Sequence, residues 1–559
     1  MISPDSKPEK SNPFYRPLLN TVGRRQFVGL MAATFGWALL PRAIAQEAEP
    51  KDGKGGKNGK GRKGGAGGED QTKARGPVFH GEYVLPESLA EFAALSVVLG
   101  RASDTSMTAS ALAQAPLEGF FELGTTAGNY TRKTALTPFT AGEPVEVVFD
   151  QLKPNTAYFY RLSYRAPGAV AFSQRAECRF ATQRAPGASF VFTLQGDSHP
   201  ERPQSSHPEL YARTLVTAAA ERPDFHICIG DDFSVEKVRT LTPAALAAPY
   251  LLQRPFLGLI GQTAPVFLMN GNHEQASLYN YQQTDERHDV AVGVQRARNQ
   301  LYPTVAPDRF YSGNTEPLKE IGLLKNYCAW TWGDALFVIL DNYWHSPALV
   351  DSGFGAKGKG GGGGGPVDKK NRDWWAITIG DAQYQWLKHT LETNTAKHIF
   401  VFAHHVLGSG RGGVDEADLY EWGGQGKKGE GTFAQKRPGW ALPIHQLMVK
   451  HKVSVFFQGH DHLYCQQEKD GVIYQELPMP SDHGYVAYNE DRYATGKKLP
   501  SSGYLRVSVT PAAVNVDYVR CFLPKDETAE TRHGMVAHSY QVAPKSTTAS
   551  ATRSTTTSA

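Results

Sequence analysis

The chain has 559 residues, 40% of them hydrophobic and 20% charged. This excludes a wholly disordered chain and a single small domain. The net charge of +4 is local: residues 51–76 hold eight Lys/Arg against three Asp/Glu, and the rest sums to −1. A basic balance confined to a glycine tract gives no support to nucleic-acid binding. The five cysteines are far apart and form no C-x-x-C pair, which argues against a disulfide scaffold and a thiolate zinc site.

Residues 1–45 are predicted to be an export address. Arg24-Arg25-Gln26-Phe27 opens an apolar run to Leu40, and Ala43-Ile44-Ala45 supplies a small-residue cleavage site. The paired arginines resemble a twin-arginine signal. The expectation is a periplasmic or secreted protein, with the twin-arginine export machinery as a partner. That route carries folded proteins and suits a metal inserted before export. A retained anchor is the alternative, but the run of about 14 residues is short against the ~20 of a bilayer span. No stable membrane anchor is expected after cleavage.

Residues 46–77 are a Gly/Lys-rich linker with too little apolar surface to fold. Residues 78–187 show short alternating strands, such as 95–99, 145–149 and 157–162, with no convincing helix. They predict an antiparallel sandwich. The segment Leu152–Tyr160 resembles the tyrosine corner of fibronectin type III domains. Residues 188–523 change to strands alternating with helices. Strand runs fall at 190–194, 225–229, 266–269, 336–340, 399–402 and 453–457; helical stretches fall at 210–220 and 382–391. This predicts an α/β domain. A glycine insertion at 353–366 interrupts it, and residues 524–559 are expected to be a mostly disordered tail.

Five polar motifs each follow a strand run. They are Gly196-Asp197-Ser198-His199, Gly230-Asp231-Asp232, Gly271-Asn272-His273-Glu274, His404-His405 and Gly459-His460-Asp461-His462. Side chains just past the carboxyl ends of strands meet at one edge of an α/β sheet. Carboxylates, an amide oxygen and imidazoles suit hard or borderline metals such as Zn, Mn or Fe. Each motif alone is weak, since a lone Gly-Asp is usually a turn and a lone His usually structural. Six of the 18 histidines fall in this one set, which makes coincidence a poor account.

The series resembles the calcineurin-like metallophosphoesterase superfamily, whose pattern is D-x-H, G-D, G-N-H, H and G-H-x-H. The resemblance covers about residues 190–523. It implies a metallophosphoesterase β-sandwich flanked by helices and two divalent or trivalent metal ions (Fe, Mn or Zn). Asp197, His199 and His462 would hold one ion. Asn272, His404 and His460 would hold the other, with Asp231 bridging. A hydroxide between the ions would be the nucleophile. His273 would contact phosphate or protonate the leaving group. Glu274 would either orient His273 or be an ordinary exposed acid. His404 is favoured over His405 as the ligand, which leaves His405 to face substrate or pack. Arg411, on a glycine-rich loop, is a candidate phosphate contact, with a surface-loop role as the bland alternative. Asp341 and His345 are candidates of equal weight for the site and for packing. Trp374, Trp375, Trp386 and Trp440 are expected in core or rim.

The sandwich domain ahead of the motifs makes the layout similar to purple acid phosphatases. Those proteins carry a tyrosine in G-D-x-x-Y that binds ferric iron. Here Ser234 stands at that position, which predicts a colourless centre. The implied function is an exported phosphomonoesterase acting on a small-molecule phosphate ester. A phosphodiesterase acting on nucleotides or other diesters is the runner-up, because D-x-H and His-His also occur in cyclic-nucleotide diesterases. A non-catalytic binding protein on the same fold is a third possibility.

Overall fold

The computed structural model describes residues 85–238, 240–276, 280–347, 373–406 and 411–544. The expected export segment, the linker, the glycine insertion and residues 545–559 lie outside the described residues. Among the described residues no helix is long and apolar enough to cross a membrane.

The first domain is built from alternating strands in two sheets. β1 (Leu95–Gly100), β2 (Met107–Ala113) and β4 (Pro144–Phe149) form one sheet in the order β1-β2-β4. β3 (Leu117–Gly124) pairs antiparallel with β5 (Ala157–Arg165), and β6 (Cys178–Ala181) pairs with β5. The expected tyrosine corner is present: the Lys153 amide donates to Tyr158 Oη at 2.8 Å. The domain does contain helix, contrary to expectation. A helical segment over Glu87–Ala94 precedes β1 and buries Leu89 and Phe92 against neighbouring helices.

β1 and β2 are buried on both faces. Val97, Leu99, Ala109 and Ala111 face the sandwich core. Val98 and Leu112 face the second domain. The seam is fixed by polar ties. Arg254 is buried and donates to Ser96 Oγ, the Ser110 carbonyl and the Leu301 carbonyl. Tyr160 Oη donates to the Gln262 carbonyl at 2.6 Å.

The second domain stacks two mixed sheets. β7 (Phe190–Gln195), β8 (Phe225–Cys228) and β9 (Val266–Leu268) run parallel. The six expected strands are all present, the others being β11 (Ala335–Ile339), β12 (His398–Phe402) and β13 (Val455–Gln458). These three also run parallel to one another. β10 (Cys328–Trp332) flanks β11; β14 (Tyr464–Lys469) and β15 (Val472–Glu476) extend the sheet beyond β13. The inner faces meet through aromatic side chains. Phe267 stacks on Trp330 at 4.1 Å, and Phe192 and Phe225 meet Phe337 at 5.2 and 5.1 Å. Each such burial removes a large apolar area from water, worth ~2–3 kcal/mol per side chain.

Helices cover the outer faces. α1 (Pro208–Ala220) and α4 (Asp381–Thr393) match the expected stretches. α2 (Pro243–Gly261) and α3 (Glu286–Leu301) were not anticipated. α2 carries Pro249 and Pro255 inside it, and interior prolines argue against helix. Burial of Phe256, Leu257, Leu259 and Ile260 holds it in place. Trp375 and Trp440 are buried, the latter stacked on Tyr384 at 3.9 Å. Trp374 and Trp386 pack at the margin of the same cluster.

The domain does not end at residue 523. β16 (Gly503–Val509), β17 (Val514–Arg520) and β18 (Met535–Val542) continue the first sheet beyond β7. β18 is an edge strand, mostly half-buried to exposed, so it lacks the apolar alternation that marks a strand in sequence. The boundary expected at 523 is therefore corrected to the end of β18.

Candidate metal centre

In both sheets the parallel strands deliver their carboxyl ends to the same edge. Asp197 follows β7, Asp231 follows β8, Asn272 follows β9, His404 follows β12 and His460 follows β13. Their side chains meet there, buried. Three overlapping groups have ligand atoms within 4.8 Å of one another: Asp197, His199 and His462; His199, Asp231 and His273; Asp231, His404 and His460.

The approach is very close. His462 Nε2 lies 3.2 Å from Asp197 Oδ1. His404 Nε2 lies 3.1 Å from Asp231 Oδ2 and 3.8 Å from Asp197 Oδ1. His199 Nε2 lies 3.9 Å from Asp231 Oδ2. Glycine is required at two of these turns. A Cβ on Gly459 would lie 2.6 Å from Asp197 Oδ2, and one on Gly271 would collide with the Asp231 carboxylate.

The backbone is strained at the same places. Fifteen non-glycine residues have positive φ among the described residues, and Asp197, His199, Asp231, His460 and His462 are five of them. Such strain clusters where function over-determines the chain.

Hydrogen bonds aim the groups. His404 Nδ1–H donates to the Ile229 carbonyl at 3.1 Å, which turns Nε2 to the carboxylates. The His460 amide donates to both Asp197 oxygens at 3.1 and 3.0 Å. The His273 amide donates to Asp231 Oδ1 at 2.8 Å. Burial opposes ionisation of Asp231, but His404 and His273 outweigh it and hold its carboxyl well below the usual range. Asp197 is likewise lowered, by His462 and His404 acting against burial. Burial works against the His404 cation, yet Asp231 and Asp197 push its pKa up to about 10. Burial, with Arg202 close by, pulls His199 down to about 3.

This donor set fits metal ions. It is oxygen and imidazole without thiolate. His199 Nε2 is buried, faces Asp231 and has no hydrogen-bond partner. A carboxylate pair that attracts a proton onto His404 would favour a cation in the same space.

The remaining expected residues are placed as follows. Asn272 is fully buried at the start of the turn Asn272–Ala276. The His273 ring is held by Glu236 at Nδ1, and Arg202 Nη2 lies 3.0 Å from its nitrogens. His405 lies one residue beyond the cluster, its ring stacked on His460 at 4.7 Å and its Nδ1 2.9 Å from Tyr343 Oη. Arg411 Nη1 donates to the His460 carbonyl and Asp461 Oδ1, each at 2.6 Å, and so braces the loop of His460 and His462. Ser234 lies 3.3 Å from His199 Nδ1 and donates to Glu201.

Glu274 neither orients His273 nor is exposed. It is buried and accepts the amides of Gly271, Asp231, Asp232 and Phe233. Asp341 takes a structural place. It accepts Asn270 Nδ2 at 2.7 Å and the amides of Tyr343 and Trp344. His345 packs under Gly380. Sequence reasoning missed Arg202, Glu236 and Glu476, which accepts the Asp461 amide at 3.0 Å. Arg202 and Glu236 are charged residues a few positions past their motifs, which was the available signal, but no fixed spacing marks them; Glu476, at the end of β15, carried no such signal.

Residues 190–464 match the family of calcineurin-like phosphoesterases. No curated protein matches the chain. Among solved structures, that of PhoD aligns over 81% of this chain and 89% of its own, at 15% identity and a TM-score of 0.51. A purple acid phosphatase from seeds of yellow lupin (Lupinus luteus) aligns over 80% of this chain and 74% of its own, at 15% identity and a TM-score of 0.49.

Proposed function

We propose that this chain, whose residues 190–464 belong to the calcineurin-like metallophosphoesterases, is an exported two-metal hydrolase of phosphomonoesters. The observation that carries the reading is the set of overlapping ligand groups sharing Asp231 and His199 at one sheet edge. Asp197, His199 and His462 would hold one ion; Asn272, His404 and His460 would hold the other, with Asp231 between them. When bound, the two ions supply Lewis acidity to the phosphoryl oxygens and activate the attacking water.

The chain's own residues do the rest. His273 donates a proton to the departing oxygen, since an alkoxide leaves poorly. Glu236 fixes its ring through Nδ1, leaving Nε2 on the Asp231 side. Arg202 brings positive charge to the same ring, where it attracts a phosphate oxygen. Arg411 positions His460 through its carbonyl. Attack in line would leave phosphorus inverted, with no phosphoenzyme.

The absence of a tyrosine at position 234 supports a colourless centre. Export rests on the Arg24-Arg25 segment and the small-residue site after it. The test is metal content and visible absorbance of the exported protein, with matched nitrophenyl mono- and diester assays. Two metals per chain, no purple band and monoester preference are expected. A diester preference replaces the monoesterase reading. No metal and no turnover would leave a binding protein on this fold. A purple band refutes the argument from Ser234.

A further inference from the structure

Below β9, at the seam with the sandwich domain, the protein encloses a cavity of about 10 Å³ lined by Val266, Leu268, Thr304, Lys325, Asn326 and Cys328, among others. That is room for one water-sized particle. Its polar lining is unbalanced. Thr304 Oγ1 and Asn326 Nδ2 are buried and have no hydrogen-bond partner. The Asn326 oxygen already accepts Asn314 Nδ2 at 3.0 Å, so Asn326 offers the cavity donors alone.

Lys325 is half-buried on a strained backbone, at φ 56°. The carboxylate that reaches it, Glu146, is already paired with Arg101 at 2.6 Å. Burial, with Arg101 and Arg298 nearby, pushes the Lys325 amine below its usual pKa. Arg298 stands against the same wall. It is fully buried, and its Nη2 donates to the carbonyl of the lining residue Leu268 at 2.6 Å. Its Nε and Nη1 have no partner. Glu274 and Asp341 act on it through space, while their oxygens are taken by backbone amides and Asn270.

A buried cation whose counter-charges are engaged elsewhere is costly; here Lys325 and two residues with unsatisfied polar groups line one small space, and Arg298 stands behind its Leu268 wall. We propose that this cavity is a binding site for a single monatomic anion, a halide such as chloride. Phosphate and sulfate are excluded by size. A halide is slightly larger than water, and the half-buried Lys325 side chain can yield the difference. The Arg101 guanidinium of the sandwich domain donates to the Thr304 carbonyl at 2.9 Å. The ion would therefore tie that domain to the segment beneath the Asn272 loop. This inference is independent of the phosphoester reading.

The test is diffraction from crystals of the intact protein grown in sodium bromide. An anomalous bromide peak beside Lys325 and Asn326 is expected; a water without anomalous signal there overturns the proposal. A second measurement uses solution stability. Replacing gluconate by chloride at constant ionic strength should raise the melting midpoint by about 2–4 °C. Lys325→Met should abolish that increment while turnover is unchanged. Equal midpoints in chloride and gluconate, or an increment that survives Lys325→Met, count against the site.

Discussion

Glu274→Gln changes one atom of the Asn272-loop side chain that braces the loop carrying Asp231. In the native protein Oε1 accepts the amides of Asp232 and Phe233 at 2.9 and 3.1 Å. Oε2 accepts Asp231 at 3.0 Å and Gly271. A glutamine has one carbonyl oxygen, so it serves one pair of amides and turns its own NH₂ against the other. Two buried donors lose their acceptor. Each costs ~1–3 kcal/mol, giving a loss of about 2–6 kcal/mol. At roughly 2 °C per kcal/mol for a domain of this size, the midpoint should fall by about 4–12 °C. Asp231 itself would be displaced, and loss of such support typically weakens metal binding 10–100-fold. The assay is thermal denaturation with and without added metal, with metal content after dialysis. A midpoint within 1 °C of wild type, with full metal retention, would refute the reasoning.

Asp231→Ala should abolish turnover, and metal content should fall with it; full activity in this variant would sink the two-metal reading. His273→Ala should slow hydrolysis of alkyl phosphates by about 10²–10⁴ and slow nitrophenyl phosphate far less, because nitrophenolate needs no proton to leave. Glu236→Gln should show the same leaving-group dependence in weaker form; equal losses on both substrates would remove the proton-donor role. His226 is buried away from the ligands, its Nδ1 2.8 Å from Thr193 Oγ1, and burial pushes its pKa down to about 3. The unfolded chain therefore binds this proton first, so stability is intact above about pH 6.5 and falls as pH drops from there toward 3. At pH 4.5 the cost is about 2–3 kcal/mol, and His226→Leu should flatten the acid limb of a pH–stability curve; an unchanged limb would show that His226 does not set it.

The ligand-bearing edge was legible because each motif combines a strand run with a glycine and a polar residue. That combination is local, and parallel strands bring local patterns to one edge without further information. What lay outside the pattern was set by contacts across the chain. Glu274 gave no sign that it gathers four amides, since three of them belong to the β8 loop. Glu236 lies five residues beyond Asp231 and meets His273 only once the two loops are stacked. α2 was hidden by its own prolines, and tertiary burial against β1 and α1 overrode them. β18 was hidden by irregular patterning: Met535, Val536, Ala537, Tyr540 and Val542 keep no strict alternation, and an edge strand needs only one ladder.

The strain at the centre bears on how it works. A left-handed conformation costs about 1–2 kcal/mol at a residue with a side chain, and five residues of the cluster adopt it. Flexible loops would relax that strain. Here the turns are locked to one another. The Asp197 amide donates to the Gly230 carbonyl at 3.0 Å, and the Gly459 amide donates to His404 at 2.8 Å. The His460 amide holds Asp197, and Glu274 holds the Asp231 turn. Every ligand loop is thus bonded to a loop from another strand, and moving one displaces its neighbours. Such a frame presents its carboxylates and imidazoles at fixed separations before any ion or substrate arrives, so little reorganisation remains for the reaction step. The same coupling predicts that supporting residues such as Glu274 and Arg411 will be nearly as sensitive to substitution as the ligands they hold.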